Sequence, residues 1–197
     1  MDRSQRVRMA GTVYAVGGIL WFVVATWVAA RYGGDPPPGS GGFYLSEVGW
    51  LVVGLLLLVG VFGLWWSGAV GGSRFGAVAF GVAVLGHALF VAAEIHGTVV
   101  GATSGALLGG AALLSALGFV LVGIATIRAR RWQGWARFMP LLTGLYFFGA
   151  MLPFILVSDD PNPYAIAGWG LARLALGLAI RGEARDRGGD VVRAQAA

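Results

Sequence analysis

Few side chains in this sequence could do chemistry, and most of those lie in apolar surroundings. His87 and Glu94 are seven residues apart, so on a helix they share a face, while His96 points nearly opposite His87. Arg173 sits inside an otherwise apolar run. An ionisable group in such a run marks a functional position by default. The chemistry open to this set is binding: a guanidinium pairs with a carboxylate or phosphate, and histidine and glutamate exchange protons. Counting equally in both directions from a turn near Asp160 sets Arg173 opposite Phe147, with Tyr146 and Thr143 within a turn of it. Arg173 is expected to point inward and to meet the hydroxyl or ring of Tyr146. Arg173, Tyr146, His87 and Glu94 are thus the candidate ligand-binding residues. His87 is expected to face other helices, and Glu94 and His96 to lie solvated near the outer headgroups.

Other chemistries are excluded by composition. There is no cysteine and no lysine, which removes disulfides, thiolate metal sites, cysteine nucleophiles and Schiff bases. Two histidines nine apart on one helix cannot clamp a haem or a metal, and no third ligand converges on them. No metal site and no catalytic residue is expected, and nothing points to a particular cofactor. Gly101, Gly105 and Gly109 repeat at four-residue spacing, a pattern that lets two helix backbones approach closely, so these are expected to be helix-packing positions. The stretch Gly101-Ala102-Thr103-Ser104-Gly105-Ala106 is similar to the nucleophile region of rhomboid intramembrane proteases. That family has Gly-x-Ser-Gly where this chain has Gly-x-x-Ser-Gly, and no histidine follows His96 to act as base. Protease chemistry is not expected.

These side chains must be positioned by membrane helices. The 197 residues are 57% hydrophobic and 12% charged, with a mean hydropathy of +0.77. Soluble domains carry about a quarter charged residues, so lipid is the solvent that fits. Six runs approach the ~20 residues a span needs: Met9–Ala30, Val48–Trp66, Phe75–Ala93, Gly105–Ile127, Phe138–Val157 and Tyr164–Ile180. The first is too long for a signal-peptide core and is expected to remain as a span. The last is the shortest and holds Arg173, so a five-span protein with a re-entrant or interfacial last segment is the alternative. The runs lack the alternation of barrel strands, and backbone groups in lipid need internal partners. The fold class is therefore all-α: a polytopic transmembrane helical bundle of about six spans. It is expected to form a single domain over residues 1–185, followed by a cytoplasmic tail over 186–197.

Charge suggests an orientation. With the N-terminus inside, 12 of the 14 arginines fall on the inner side, and Asp35, Glu47, Glu94, Asp159 and Asp160 on the outer side. The chain is expected in the inner (plasma) membrane of a bacterium with both termini cytoplasmic. Arg128, Arg130, Arg131 and Arg137, with Trp132 and Trp135, are expected to contact lipid headgroups. Gly33–Gly42 and Ser158–Pro163 read as outer connectors rich in proline and glycine or aspartate. A shift of 63 residues superposes nine identities between Leu58 and Leu89 on later positions, Arg74-Phe75 on Arg137-Phe138 among them. The net charge of +5 follows from these flanking arginines, so no nucleic-acid partner is expected. The expected partners are membrane lipids and other membrane subunits. The expected role is a structural or interaction component, such as a subunit of a membrane complex. The alternative is a carrier or binder of a small anionic or lipidic ligand.

Overall fold

The computed structural model describes residues 1–158 and 162–195, with side chains for 1–157 and 162–183. It is built of helices, with no strand among the described residues. The elements are α1 (Arg3–Tyr32), α2 (Gly41–Trp66), α3 (Arg74–Val100), α4 (Gly105–Ala129), α5 (Met139–Tyr146), α6 (Leu152–Ser158) and α7 (Pro163–Gln195). Six stretches are long and apolar enough to cross a membrane, and each contains or overlaps one of the six runs expected from the sequence. The last, Pro163–Glu183, is long enough to span despite Arg173. Helix α7 continues to Gln195, so most of the expected tail is helical. Asp159 and Asp160 of the expected outer turn lie outside the described residues.

Local sequence explains the helix ends. Ser40, Ser73 and Ser104 cap α2, α3 and α4, each hydroxyl accepting an amide from the first turn. Ser104, the serine of the protease-like stretch, thus has a structural task. Asp2 caps α1 in a reciprocal box with Gln5. The Gln5 amide and the Ser4 hydroxyl donate to the Asp2 carboxylate and hold its pKa below the usual value. Gly33 and Gly101 end α1 and α3 in the left-handed conformation that glycine reaches at least cost.

The fifth span is not one continuous α-helix. A 3-10 turn (Ala136–Phe138) leads into α5, and a π turn (Phe147–Met151) separates α5 from α6. Pro153 lies just beyond it, and its ring crowds the carbonyl four residues earlier, which belongs to Gly149 inside the π turn. The wider turn absorbs that conflict and brings Phe147 and Met151 both inward.

The spans close into a ring in chain order, with α7 returning against α1. That closing contact is the most extensive. A Cβ on Gly11 would lie 2.6 Å from the Arg181 nitrogen, and one on Gly170 would lie 2.7 Å from the Phe22 nitrogen. Gly18 and Gly177 meet the facing backbones of Leu174 and Ala15 in the same way. Small residues at seven-residue spacing on both helices let the backbones touch. Gly105 and Gly109, expected to pack helices, do not do so within the described chain: nothing lies within 4 Å of where their Cβ atoms would be. Gly101 serves instead as the left-handed cap of α3, with the Tyr44 hydroxyl beside it.

The 63-residue shift has a structural counterpart in part. Moved by 63, the bounds of α2 become 104–129, and α4 is Gly105–Ala129. Gly71 and Gly134, also related by the shift, are both left-handed. The packing is not repeated, because Gly81 faces open space while Gly144 lies against Ala116 and Val120.

Candidate functional site

The ring of helices encloses a column of aromatic and ionisable side chains. Arg173 of α7 is 3% exposed. Its guanidinium carbon lies 4.1 Å from the ring centre of Trp21 on α1 and 4.0 Å from that of Trp169 on α7. The two ring centres are 5.6 Å apart and their planes are 82° to each other. The three distances make roughly a right angle at the guanidinium carbon, so the cation occupies an aromatic corner with two sides covered.

Both indoles are fixed by their own hydrogen bonds. Trp21 Nε1 donates to the Ile166 carbonyl at 2.7 Å, and Trp169 Nε1 donates to the Thr143 carbonyl at 2.8 Å. Trp50 and Phe90 pack on Trp21, and Phe147 packs on Trp169. Ring faces attract a cation but accept no directed N–H bond of the strength a carboxylate offers. Arg173 forms no hydrogen bond and no ion pair with the described residues, and its Nε is fully buried without an acceptor.

The expected contact with Tyr146 is therefore corrected. Tyr146 donates its hydroxyl to the Ala165 carbonyl at 3.1 Å and fills the notch above Gly168. Thr143, rather than Phe147, reaches the level of Ala172, the residue before Arg173. The π turn takes more residues than an α turn, which contributes to the offset from equal counting. Trp169 precedes Arg173 by four residues, a helical same-face spacing legible in the sequence. Trp21 comes from the far end of the chain and carried no local signal.

His87 faces inward as expected and is 2% exposed. Its Nδ1 lies 2.8 Å from the Ala83 carbonyl. A carbonyl only accepts, so Nδ1 carries the proton, and Nε2 is left to accept from the Tyr14 hydroxyl at 3.5 Å, a long bond. Phe119 stands edge-on to both rings.

Glu94 differs from expectation. It is 2% exposed rather than solvated, and its Oε2 is buried without a partner. Glu47 of α2, which the sequence placed only by charge, is buried too. The Thr103 hydroxyl donates to Glu47 Oε1 at 3.1 Å, and Glu47 Oε2 fills the space left by Gly97. The missing side chain at Gly97 admits this carboxylate between α2 and α3. His96 is exposed. Among the described residues, no three histidine, aspartate or glutamate side chains are grouped to hold a metal.

At the opposite end of the bundle, Arg128, Arg130 and Arg137 line a cleft with Ile127 and Phe138. Trp135 beside it is 58% exposed, in keeping with a boundary residue. Trp132 is not: it is 1% exposed and belongs to the core, so it does not reach headgroups. Arg131 turns towards Gly68 in the loop after α2. The chain matches no family model, no curated protein and no solved structure.

Proposed function

We propose that the protein is a membrane-embedded binder of a small anion, or of the anionic group of a lipid, recognised by Arg173. The observation that carries this reading is a buried guanidinium with no acceptor among the described residues. Arginine near mid-bilayer costs about 2.5–3.5 kcal/mol on insertion scales. Each of the two ring faces offsets about 2 kcal/mol when desolvated, so together they can balance the charge. The donors still lack an acceptor, and a guanidinium fork matches the paired oxygens of a carboxylate or phosphate. A residue serving packing alone would do so at lower cost as methionine or leucine.

The test uses the full chain, purified in an uncharged detergent and titrated with octanoate, octyl phosphate and octyltrimethylammonium. Trp21 and Trp169 border the site, so tryptophan fluorescence reports on it. The two anions should give a saturable change and the cation none. Arg173→Gln should abolish the change while helicity by circular dichroism is retained. An equal response in Arg173→Gln, or no saturable response to either anion, would end this reading.

The distribution of arginine supports an orientation with both termini cytoplasmic, in the inner (plasma) membrane of a bacterium. The chain lacks cysteine, so single cysteines report on each side. Pro38→Cys should react with an impermeant maleimide on intact cells, whereas Gly72→Cys and Gln133→Cys should react only after lysis. Labelling of Gln133→Cys on intact cells would invert the topology.

A second reading, a subunit of a membrane complex, is favoured by Gly105 and Gly109. Both are exposed on α4 at a spacing suited to helix docking. Stoichiometric copurification of another protein in mild detergent, lost in Gly105→Leu/Gly109→Leu, would select this reading.

A further inference from the structure

A cleft lies at the end of the bundle where the loop between α4 and α5 gathers arginines. The cleft lined by Ile127, Arg128, Arg130, Arg137 and Phe138 has a volume of about 640 Å³. Its walls are the last turn of α4 and the 3-10 turn that opens the fifth span. Arg130 terminates α4 with φ 51° and ψ 24°, the left-handed region that glycine usually fills. This bend projects its side chain towards the cleft. Arg137 is held over the Phe138 ring at 4.5 Å, and Arg128 over the Phe75 ring at 5.6 Å.

None of the three arginines has a carboxylate partner among the described residues. Three like charges around one cleft repel one another, and an anion between them removes that repulsion. The apolar walls, Ile127 and Phe138, lie where a headgroup site meets hydrocarbon. A water-soluble anion would gain nothing from them, whereas the first methylenes of a lipid chain would. The charge decides between headgroups. One phosphodiester carries a single negative charge, too little for three guanidiniums, while two phosphates on one headgroup match them more closely.

We propose that this cleft binds one phospholipid whose headgroup carries two phosphates, with Arg128, Arg130 and Arg137 on the phosphates and Ile127 and Phe138 against the chains. This site is independent of the anion proposed at Arg173. Full-length protein in an uncharged detergent is titrated with cardiolipin, phosphatidylglycerol and phosphatidylcholine, and bound lipid is counted by native mass spectrometry. Cardiolipin should saturate at one per chain, at a concentration at least about tenfold below that of phosphatidylglycerol, with no saturable binding of phosphatidylcholine. Arg137→Gln should remove that preference. Arg130→Gly should also remove it, and glycine suits the left-handed position, so folding is not at risk. Arg131→Gln, outside the cleft, should keep the preference. Phosphatidylglycerol binding as tightly as cardiolipin, or an unchanged preference in Arg130→Gly and Arg137→Gln, would overturn the proposal.

Discussion

Gly18→Ala is expected to destabilise the purified protein by about 1–3 kcal/mol or more, although alanine is the better helix former. The new methyl would meet the backbone of Leu174, which cannot move as a side-chain end can. Helices α1 and α7 would have to separate, and their contact closes the ring. Gly109→Ala supplies the opposite sign. A Cβ there meets nothing within 4 Å, so the substitution only restricts the unfolded backbone and should be neutral or stabilising by about 0.5–1 kcal/mol. The measurement is unfolding by added sodium dodecyl sulfate in mixed micelles, followed by circular dichroism. Equal effects at the two positions would show that the α1–α7 backbones do not touch as described.

Trp169→Leu should cost about 3–5 kcal/mol, because it removes a large buried side chain and strips Arg173 of one of its two rings. It also leaves the Thr143 carbonyl without the indole donor it now has at 2.8 Å. Arg173→Met should behave differently. It removes a buried charge that has no hydrogen bond among the described residues, so it should be neutral or stabilising by up to about 4 kcal/mol. In the Arg173→Met background, Trp169→Leu should cost about 2 kcal/mol less than it does alone, the worth of a desolvated cation–π contact. An unchanged cost in that background would mean that the ring does not stabilise the cation. A stabilised Arg173→Met protein that no longer responds to octanoate would show that the arginine is kept for binding and not for folding.

Much of the architecture was legible in the residues. Six spans follow from run lengths, because hydrocarbon thickness sets helix length and lipid forbids unpaired backbone. Ser40, Ser73 and Ser104 cap helix starts by their own chemistry, although run length alone opened the second span only at Val48. The inward direction of His87 and Arg173 follows from the cost of setting either against lipid. A finer reading would also have found Gly11 with Gly18 and Gly170 with Gly177, each pair seven apart, and Trp169 four before Arg173.

Which neighbour each group meets was decided only by the tertiary structure. Hydropathy is uniform around these helices, so it does not say which face of α4 is inside, and Gly105 and Gly109 lie on the outside. Position along the chain placed Glu94 near the outer boundary, but burial there depends on the facing helix, and α2 sets Glu47 against Gly97, one turn along α3 from Glu94. Trp132 has the flanks of a boundary residue, yet the loop after α4 turns it into the core. Arg173 meets Trp21 because α1 and α7, the two ends of the described chain, close the ring at glycines small enough for their backbones to touch. A contact between residues 152 positions apart leaves no periodicity in the sequence, since its energy depends on a register that only the packed helices define.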